Sequence, residues 1–552
     1  MSKKSIFKLF FAMNLVALLA SCSDGRMLEK NETPDESRNI SASEYTDIGE
    51  VYNPEAVIPP QCYTKTDGNR NPCYACHQTY SKSEGRPNIM SDGGLQGNYE
   101  FSDEGIKNSW KNLFADRREY IKNVSDSDIK NWVLTDNYSE FITRLENNQD
   151  WEGEIAKIKN LAYPDEAFYE NGLAKDGSHW VAFNYKPFPS TFWPTNGSTG
   201  DVMVRLPAAF REVNGVYNSS VYFANLALLE MAIKDVNKVS TSAISEVALS
   251  EDIDGDGTLK NNVNTIAIRD TYLGDASNIQ LAKMLYPEGT EFLHTVRYIG
   301  VDEKGQTFNA PRMKEVRYMR KAQFKHKNLL STSYYREAKE KDFGKLPVTV
   351  YTGDKGISNG FGWVINGYIE DKDGSLRQQH REELAFCNGC HKTVGTTFDQ
   401  TFSFARKVEG EKGWGYIDLK TQKDVPNYGE RKGEFLTYMQ RVGGGDEFRQ
   451  NKEMLQLWFN SDGTVNREKV EATKSLYELI MPSAERALAL NKAYKAIVDE
   501  QSYIFGRDAV LAPARNVLQH VDDSVAPLQE SHRHHWDMRL DWSGQRDLAE
   551  SL

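Results

Sequence analysis

The chain has 552 residues, and its 67 Lys and Arg against 79 Asp and Glu give a formal net charge of −12. This acidic balance excludes a protein that binds nucleic acid through a basic face. The mean hydropathy is −0.62, and the only long apolar run lies at the N-terminus, which excludes a polytopic membrane protein. The 25 Phe, 27 Tyr and 10 Trp supply enough apolar surface for a folded core.

The first 21 residues are predicted to be a secretory signal peptide. Three lysines among the first eight residues precede an apolar run at residues 9–20, which is too short to cross a bilayer. The run ends in LASC at residues 19–22, which resembles the lipobox of exported bacterial lipoproteins. In that family the cysteine, here Cys22, is acylated with chains such as palmitate and becomes the mature N-terminus. The alternative is an ordinary signal peptide that a cysteine happens to follow.

Residues 22–55 are predicted to be a lipidated, flexible tether, since they are polar, acidic and without periodicity. As a coil they would span about 30 Å on average. The lipobox resemblance implies a lipid anchor in the bacterial cell envelope, with the body of the protein in the periplasm or at the cell surface. Ser23, where an Asp would favour the inner membrane, favours the outer membrane.

Residues 56–175 are predicted to form a mainly helical region around the segment CYACH at residues 73–77. The same C-x-x-C-H pattern returns as CNGCH at residues 387–391, which is 314 positions later. In a chain of this composition, roughly 0.001 copies of the C-x-x-C-H pattern are expected by chance. The pattern is a signal for covalent haem attachment. On a helical turn, positions i and i+3 share a face. Both thiols therefore reach one edge of a porphyrin while the histidine faces its iron.

These two motifs, together with the lipobox, resemble a di-haem c-type cytochrome that is exported as a lipoprotein. The resemblance implies two covalently bound haem c groups, each with the motif histidine as the proximal iron ligand. The spacing disfavours a zinc ribbon, because the cysteine pairs of a zinc ribbon lie about 15–20 residues apart. A thioredoxin-like site is also disfavoured, because such a site needs no histidine after each cysteine pair. The predicted haem-binding residues are Cys73, Cys76, His77, Cys387, Cys390 and His391.

The ligand on the other side of each iron is left open by the sequence. A histidine or methionine there would favour electron transfer, whereas an open iron would favour catalysis. His179 opens an aromatic run that could line a haem, and His294 lies in an alternating, strand-like run, where a structural role is the simpler interpretation. The methionines in suitable places are Met90, Met439, Met454 and Met481.

Cys62 lies eleven residues before the first motif and belongs to neither copy of the pattern. Three interpretations are open for it. It is a buried thiol of the core, or half of an intermolecular disulfide, or a thiolate ligand to a haem.

Residues 176–375 are predicted to form a mostly antiparallel, β-rich region with an intervening helix. Short runs rich in β-branched and aromatic residues alternate there with Gly, Asp or Asn turns. The predicted strands are VMVRL at 202–206, SVYFANL at 220–226, NTIAIRD at 264–270, EFLHTVRYIG at 291–300, EVRYMRK at 315–321, LPVTVYTG at 346–353 and FGWVINGYI at 361–369.

Within this region, one acidic loop resembles the first half of a calcium loop. Asp252, Asp254 and Asp256 alternate before Gly257, which corresponds to positions 1, 3, 5 and 6 of such a loop. Position twelve, where a bidentate glutamate is expected, is Val263, so a complete EF-hand loop is not predicted. The two remaining interpretations are a calcium site closed by other ligands and a surface turn of Asp and Gly.

Residues 376–510 are predicted to return to helix around the second motif, and residues 511–552 to form a polar C-terminal tail. An apolar stripe from Ala487 to Val498 predicts a helix, and Pro482 before Ser483 marks its start. The predicted fold class is therefore α+β, with two mainly helical c-haem regions that flank a β-rich middle region.

Together these features predict a membrane-anchored di-haem c-type cytochrome that transfers electrons between other redox proteins of the cell envelope. No nucleic acid partner is expected. The sequence has no recognisable nucleophile or acid–base pair, which favours an electron carrier over an enzyme. The alternative is a di-haem redox enzyme, either peroxidase-like or oxidising sulfur compounds.

Overall fold

The computed structural model describes residues 57–77, 86–87, 101–190, 194–343, 348–392, 394, 397–443, 451–533 and 537–543. All of them belong to the unit formed by residues 51–552. The described residues are 34 % helical and 20 % strand, in agreement with the predicted α+β class. The predicted signal peptide, Cys22, the tether up to residue 55 and Met90 lie outside the described residues.

Most helices precede or follow the strands along the chain. No helix among the described residues is long and apolar enough to cross a membrane. The helices are α1 Cys73–Cys76, α2 Arg118–Asn123, α3 Asp126–Val133, α4 Tyr138–Asn147, α5 Pro164–Ala167, α6 Ser219–Lys234, α7 Glu246–Leu249, α8 Lys327–Asp342, α9 Arg381–Ala385, α10 Asn388–His391, α11 Glu434–Val442, α12 Lys452–Trp458, α13 Arg467–Glu471, α14 Leu476–Ile480 and α15 Ala484–Glu500.

The described strands form one large antiparallel sheet and two small ones. They are β1 Val181–Ala182, β2 Val202–Arg205, β3 Glu212–Val213, β4 Val216–Tyr217, β5 Lys238–Ile244, β6 Val263–Ala267, β7 Glu291–Val301, β8 Thr307–Lys321, β9 Val350–Tyr351, β10 Ile357–Ser358, β11 Trp363–Glu370 and β12 Leu376–Gln378. The large sheet has the order β1-β2-β7-β8-β11-β10-β9, with β12 beside β11, while β3–β4 and β5–β6 form separate pairs. The hairpin of β7 and β8 is therefore the centre of the large sheet.

One predicted strand is wrong. The run at residues 220–226 lies inside helix α6, whose N-terminus is capped by the side chain of Asn218, which accepts a hydrogen bond from the amide of Val221. Nearly every residue of this helix is buried. A segment that is apolar on all sides carries no period that separates a buried helix from a buried strand. Length decides instead, since the apolar stretch continues to Ile233 and is too long for an ordinary strand.

The large sheet is covered on both faces. Successive residues of a strand point to opposite faces, and β7 follows this rule. Phe292 packs with Trp363 in the core that includes helix α6. Leu293 packs in a second core with Phe141 of helix α4. Full burial of a side chain of this kind contributes about 1.5–3 kcal/mol to stability.

The predicted helix at the end of the second region is confirmed as α15. The side chain of Ser483 accepts a hydrogen bond from the amide of Arg486 and caps its N-terminus. The apolar stripe of the helix packs against Tyr298 and Ile299 of β7. This helix therefore fixes one end of the central hairpin.

The segment predicted as a polar tail lies against the body where it is described. Val517 forms a strand-like bridge with Thr64, and Leu540 forms one with Asn427. Val517 and Leu540 are buried, as is Met538. Apolar side chains spaced along a polar segment thus bring the C-terminal residues close to the start of the described chain.

A buried ion pair lies behind the central hairpin. The guanidinium of Arg297 on β7 donates to the carboxylate of Asp201 at 2.7 Å and to the carbonyl oxygen of Leu161 at 2.6 Å. The hydroxyl of Thr295 donates to the same carboxylate at 3.0 Å. Arg297, Asp201 and Thr295 are all fully buried. The network ties the entry of β2 to the middle of β7.

The beginning of the described chain lies against the second motif. A Cβ atom at position 389 would lie 2.2 Å from the carbonyl oxygen of Val57, so only glycine fits there. The indole of Trp110 donates to the carbonyl oxygen of Ile58 at 3.0 Å, and its ring meets Phe386 edge-on with centroids 5.3 Å apart. Segments more than 300 residues apart in sequence are thereby in contact.

Replacing Arg297 with Met should lower the free energy of unfolding by about 3–5 kcal/mol, because the Asp201 carboxylate is left buried without its cation. The double variant Asp201→Asn, Arg297→Met removes both charges and should recover part of this loss. Urea unfolding of the single and the double variant, followed by tryptophan fluorescence, measures the two free energies of unfolding. Equal losses in the single and double variants would contradict an unpaired charge as the cause.

Gly389→Ala should destabilise the protein by about 1–3 kcal/mol, because the backbone at Val57 must move to admit the methyl group. Ala75 holds the corresponding place in the first motif, so Ala75→Gly is the matched control. Its cost should be about 0.5–1 kcal/mol, the usual effect of glycine within a helix. Thermal unfolding compares the two, and a Gly389→Ala variant as stable as the wild type would refute the close approach.

Candidate functional site

Both C-x-x-C-H motifs form single helical turns. In the first, the amide of His77 donates to the carbonyl oxygen of Cys73 at 2.8 Å, and in the second, the amide of His391 donates to that of Cys387 at 2.9 Å. A turn of this kind places its first and fourth residues on one side. Each motif therefore presents two thiols on one face, with a histidine at the end of the turn.

The two motifs open into one cavity. Its volume is about 310 Å³, at the lower end of the range of about 300–1,000 Å³ that is usual for small-molecule pockets. The sequence had placed the motifs in separate regions and gave no sign that they meet. The cavity is lined by all the residues predicted to bind haem, namely Cys73, Cys76, His77, Cys387, Cys390 and His391, and also by Cys62.

The large sheet forms one wall of the cavity. Alternate residues of β7 face it, as the pleat of a strand requires, and residues of β8 line it as well. Aromatic side chains from outside the sheet line much of the rest. The sheet contributes Val202, Phe292, His294, Val296, Lys314, Glu315, Arg317, Tyr318, Met319 and Ile365, and other segments contribute Tyr185, Phe188, Phe402, Phe404, Tyr438 and Tyr494.

The imidazole of His391 is held in one orientation. Its Nδ1 lies 2.7 Å from the carbonyl oxygen of Gln400, and since that oxygen only accepts, Nδ1 carries the proton. The ring meets Phe402 edge-on, with centroids 5.3 Å apart. Burial lowers the pKa of His391 to about 4, so the ring is neutral at pH 7 and Nε2 keeps its lone pair. A hydrogen bond from the other ring nitrogen to a carbonyl is the usual way to orient a metal-binding histidine.

Burial disfavours the thiolate form of Cys62, Cys387 and Cys390, whose pKa values are all raised. The five described cysteines form no disulfide with one another. Burial raises the pKa of Cys390 to about 11, and it raises the pKa of Cys62 well above the ordinary value of a thiol. Cys73, Cys76 and Cys390 are near enough to add to the shift in Cys62. Cys62 is therefore a half-buried thiol that lies near cysteines of both motifs.

Charged side chains line the cavity on the side of the second motif. Glu315 accepts from Arg317 at 2.9 Å and from Arg507 at 3.2 Å. Although burial opposes ionisation, these two guanidinium groups hold the pKa of Glu315 at about 2. The described lining has four basic residues, Lys314, Arg317, Arg406 and Arg507, and two acidic residues, Glu315 and Asp508. Of the basic residues, Arg317 and Arg507 pair with Glu315, and Arg406 pairs with Glu434.

The predicted methionine ligands do not lie in the described lining of the cavity. Met439 and Met454 are buried in the core that contains helix α6, and Met481 is packed at its edge. Met439 follows Tyr438 on helix α11. Tyr438 lines the cavity, whereas Met439 is buried in that core. Met319 does line the cavity, although the sequence did not single it out.

Of the two histidines considered as haem ligands, His179 lies outside the described lining of the cavity and His294 lies within it. The ring of His179 stacks on Tyr217 with centroids 4.5 Å apart and does not belong to the described lining, although Tyr185 and Phe188 of the run that it opens do. His294, to which the sequence gave a structural role, lines the cavity. The signal that could have found it is the alternation with Phe292, which places both side chains on one face of β7.

The acidic loop at residues 252–256 lies away from this cavity and is arranged differently from the prediction. Carboxylate oxygens of Asp252, Asp254 and the buried Glu246 all lie within 4.8 Å of one another, close enough to hold one cation. Asp256 instead pairs with the ammonium of Lys260, which also contacts Asp254 at 3.0 Å. A calcium site stays a prediction, with Glu246 in the place that the sequence assigned to Asp256.

The comparisons with known proteins point to one family. The model of a lipoprotein family matches residues 46–477. An uncharacterized lipoprotein of Aquifex aeolicus (strain VF5) is 32 % identical over 581 aligned positions, which cover 92 % of this chain and 94 % of that protein. No solved structure gives a significant match. The chain belongs to this family of exported, envelope-attached lipoproteins.

Proposed function

We propose that the protein is a lipid-anchored di-haem c-type cytochrome, which carries electrons between other redox proteins of the cell envelope. The observation that carries the proposal is that two haem-attachment motifs, 314 residues apart, open into one cavity. Cysteine pairs with a purely structural role need no histidine after each pair and no shared cavity. Two covalent haem c groups would be held by the thiols of Cys73 and Cys76, and of Cys387 and Cys390.

The residues around the cavity suit haem as a ligand. A neutral imidazole is the form of histidine that binds a metal, and the carbonyl of Gln400 leaves Nε2 of His391 available for one. Guanidinium groups bind carboxylates in paired hydrogen bonds, so Arg317 and Arg507 suit the propionates of a haem.

The chain's part in electron transfer is to hold and shield the groups that carry the charge. Haem iron supplies one-electron chemistry when it is bound. The aromatic side chains of the cavity, such as Phe188, Phe402 and Phe404, keep water from its walls, and the two motifs hold their groups within one space. The net charge of −12 suits a partner with a basic patch, and such an encounter weakens as salt screens the charges.

The anchor is proposed to be Cys22, acylated as the new N-terminus after signal cleavage. The lipobox resemblance at residues 19–22 supports this residue, and Ser23 supports the outer membrane. One acyl chain alone binds a membrane only marginally, whereas two or more hold a protein there stably.

The full chain, produced with a c-type haem maturation system, should carry two haem additions that survive denaturation in mass spectrometry. Replacing Cys73 and Cys76 together by Ala should remove one addition, and replacing Cys387 and Cys390 should remove the other. Cys62→Ala is the matched control and should keep both, because it lies in the same cavity but in neither motif. A mature chain with one haem or none overturns the proposal.

The same preparation separates a carrier from an enzyme. The reduced protein should pass electrons rapidly to a small basic cytochrome, at a rate that falls as salt is added. Added peroxide or thiosulfate should give no turnover. Turnover with either compound would favour the di-haem redox enzyme instead.

Cys22→Ala should release the protein from the membrane fraction while both haems remain attached, because the rest of the chain is hydrophilic. Cell fractionation followed by haem staining measures the distribution. Ser21→Ala is the control, since it keeps a small residue before the cysteine and should leave the protein in the membrane. A Cys22→Ala variant that stays in the membrane after signal cleavage would show a different anchor.

A further inference from the structure

His294 occupies a central place in the wall that the sheet contributes to the cavity. It lies on β7, where it is paired with Val202 of β2 on one side and with Arg317 of β8 on the other. Because side chains alternate along a strand, His294 shares the cavity face with Phe292 and Val296. Its imidazole therefore lines the cavity from the middle of the sheet.

The imidazole of His294 makes no hydrogen bond within the described part of the chain. The residue is half-buried and lines the cavity, so a ligand in the cavity can reach its ring. Burial, with Arg317 nearby, lowers the pKa of His294 to about 3, and Glu315 opposes the effect. The ring is neutral at pH 7 and keeps the lone pair that a metal requires.

The backbone around His294 is rigidly held. On the opposite face of the sheet, Thr295 and Arg297 bind the carboxylate of Asp201. A Cβ atom at Gly200 would lie 1.7 Å from the carbonyl oxygen of Thr295 and 3.4 Å from Nε2 of His294. Because residue 200 is a glycine, the backbone there can pass close to the imidazole of His294. The ion pair between Arg297 and Asp201 fixes the position of β7.

His294 is on the side of the cavity that faces the second motif. Its strand partner Arg317 lies near Cys387 and Cys390. His391 is likewise near enough to contribute to the lowered pKa of His294. Within the described lining of the cavity, the histidines are His77, His294 and His391, so His294 is the one that belongs to neither motif.

We propose that His294 is the sixth ligand of the iron whose proximal ligand is His391, and so closes that iron to external ligands. The inference rests on the proposed function, because it needs a haem at the second motif. Two imidazole ligands would hold the iron in a low-spin, electron-transferring state. The second motif supplies one, and the sheet supplies the other.

The test is the spin state of the full, haem-loaded chain, measured by absorption and electron spin resonance. In His294→Ala, one of the two haems should change from low-spin to high-spin, and added imidazole should restore the low-spin signal. Mass spectrometry should still show two attached haems. His179→Asn is the matched control, because that histidine stacks on Tyr217 outside the described lining and Asn tolerates its positive φ.

A second variant keeps the test informative if His294→Ala folds poorly. His294→Met preserves volume and a donor atom, and should keep both haems low-spin while raising the reduction potential of one, since methionine ligation raises the potential. Performing both substitutions in a Cys73→Ala, Cys76→Ala background, with a single haem at the second motif, identifies which iron responds.

The outcomes distinguish the inference from the function on which it rests. A chain without haem overturns both. Two attached haems whose spectra and potentials are unchanged in His294→Ala and His294→Met overturn the inference alone, and so does a change confined to the haem of the first motif. A loss of the low-spin signal at the second motif that imidazole reverses supports it.

Discussion

The buried ion pair between Arg297 and Asp201 is the interaction on which the cavity wall depends. A pair of this kind adds little net stability, because both charges lose their hydration, yet breaking it is costly. Its main effect is therefore to specify position. Arg297 also donates to the carbonyl oxygens of Leu161, Ala162, Ala310 and Pro311. One guanidinium thus ties β2, β7, β8 and the segment before β1 together, and sets the register that turns His294 towards the cavity.

The second constraint is that two helical turns far apart in sequence share that cavity. The contact between Gly389 and Val57 brings the beginning of the described chain to the second motif. The bridges that Thr64 and Leu540 form with distant segments close the structure from the C-terminal side. The β-rich part of the chain is therefore not a spacer between two separate sites. It supplies the wall that both sites have in common.

Membership in the lipoprotein family agrees with the role of the N-terminus, and it leaves the chemistry to be argued from the cavity. The relative in Aquifex aeolicus is aligned over nearly its whole length, so the body of the protein and not merely its leader is shared. The cavity combines the thiols of both motifs, a neutral histidine oriented by a backbone carbonyl, aromatic walls and basic side chains. The proposal of covalently held haem rests on this combination.

Local information in the sequence determined the mixed fold class, most strands of the large sheet, the helix that begins after Ser483, and the residues of both motifs, because periodicity, caps and short motifs act over a few positions. It failed for residues 220–226, where a mostly apolar run has no clear period, and it gave no sign that His294 faces a cavity. Only the tertiary structure brought both motifs to one cavity, placed His294 in its lining and brought Glu246 beside Asp252 and Asp254 in the acidic cluster. These arrangements depend on strand register and on contacts between distant segments, and no local pattern encodes them.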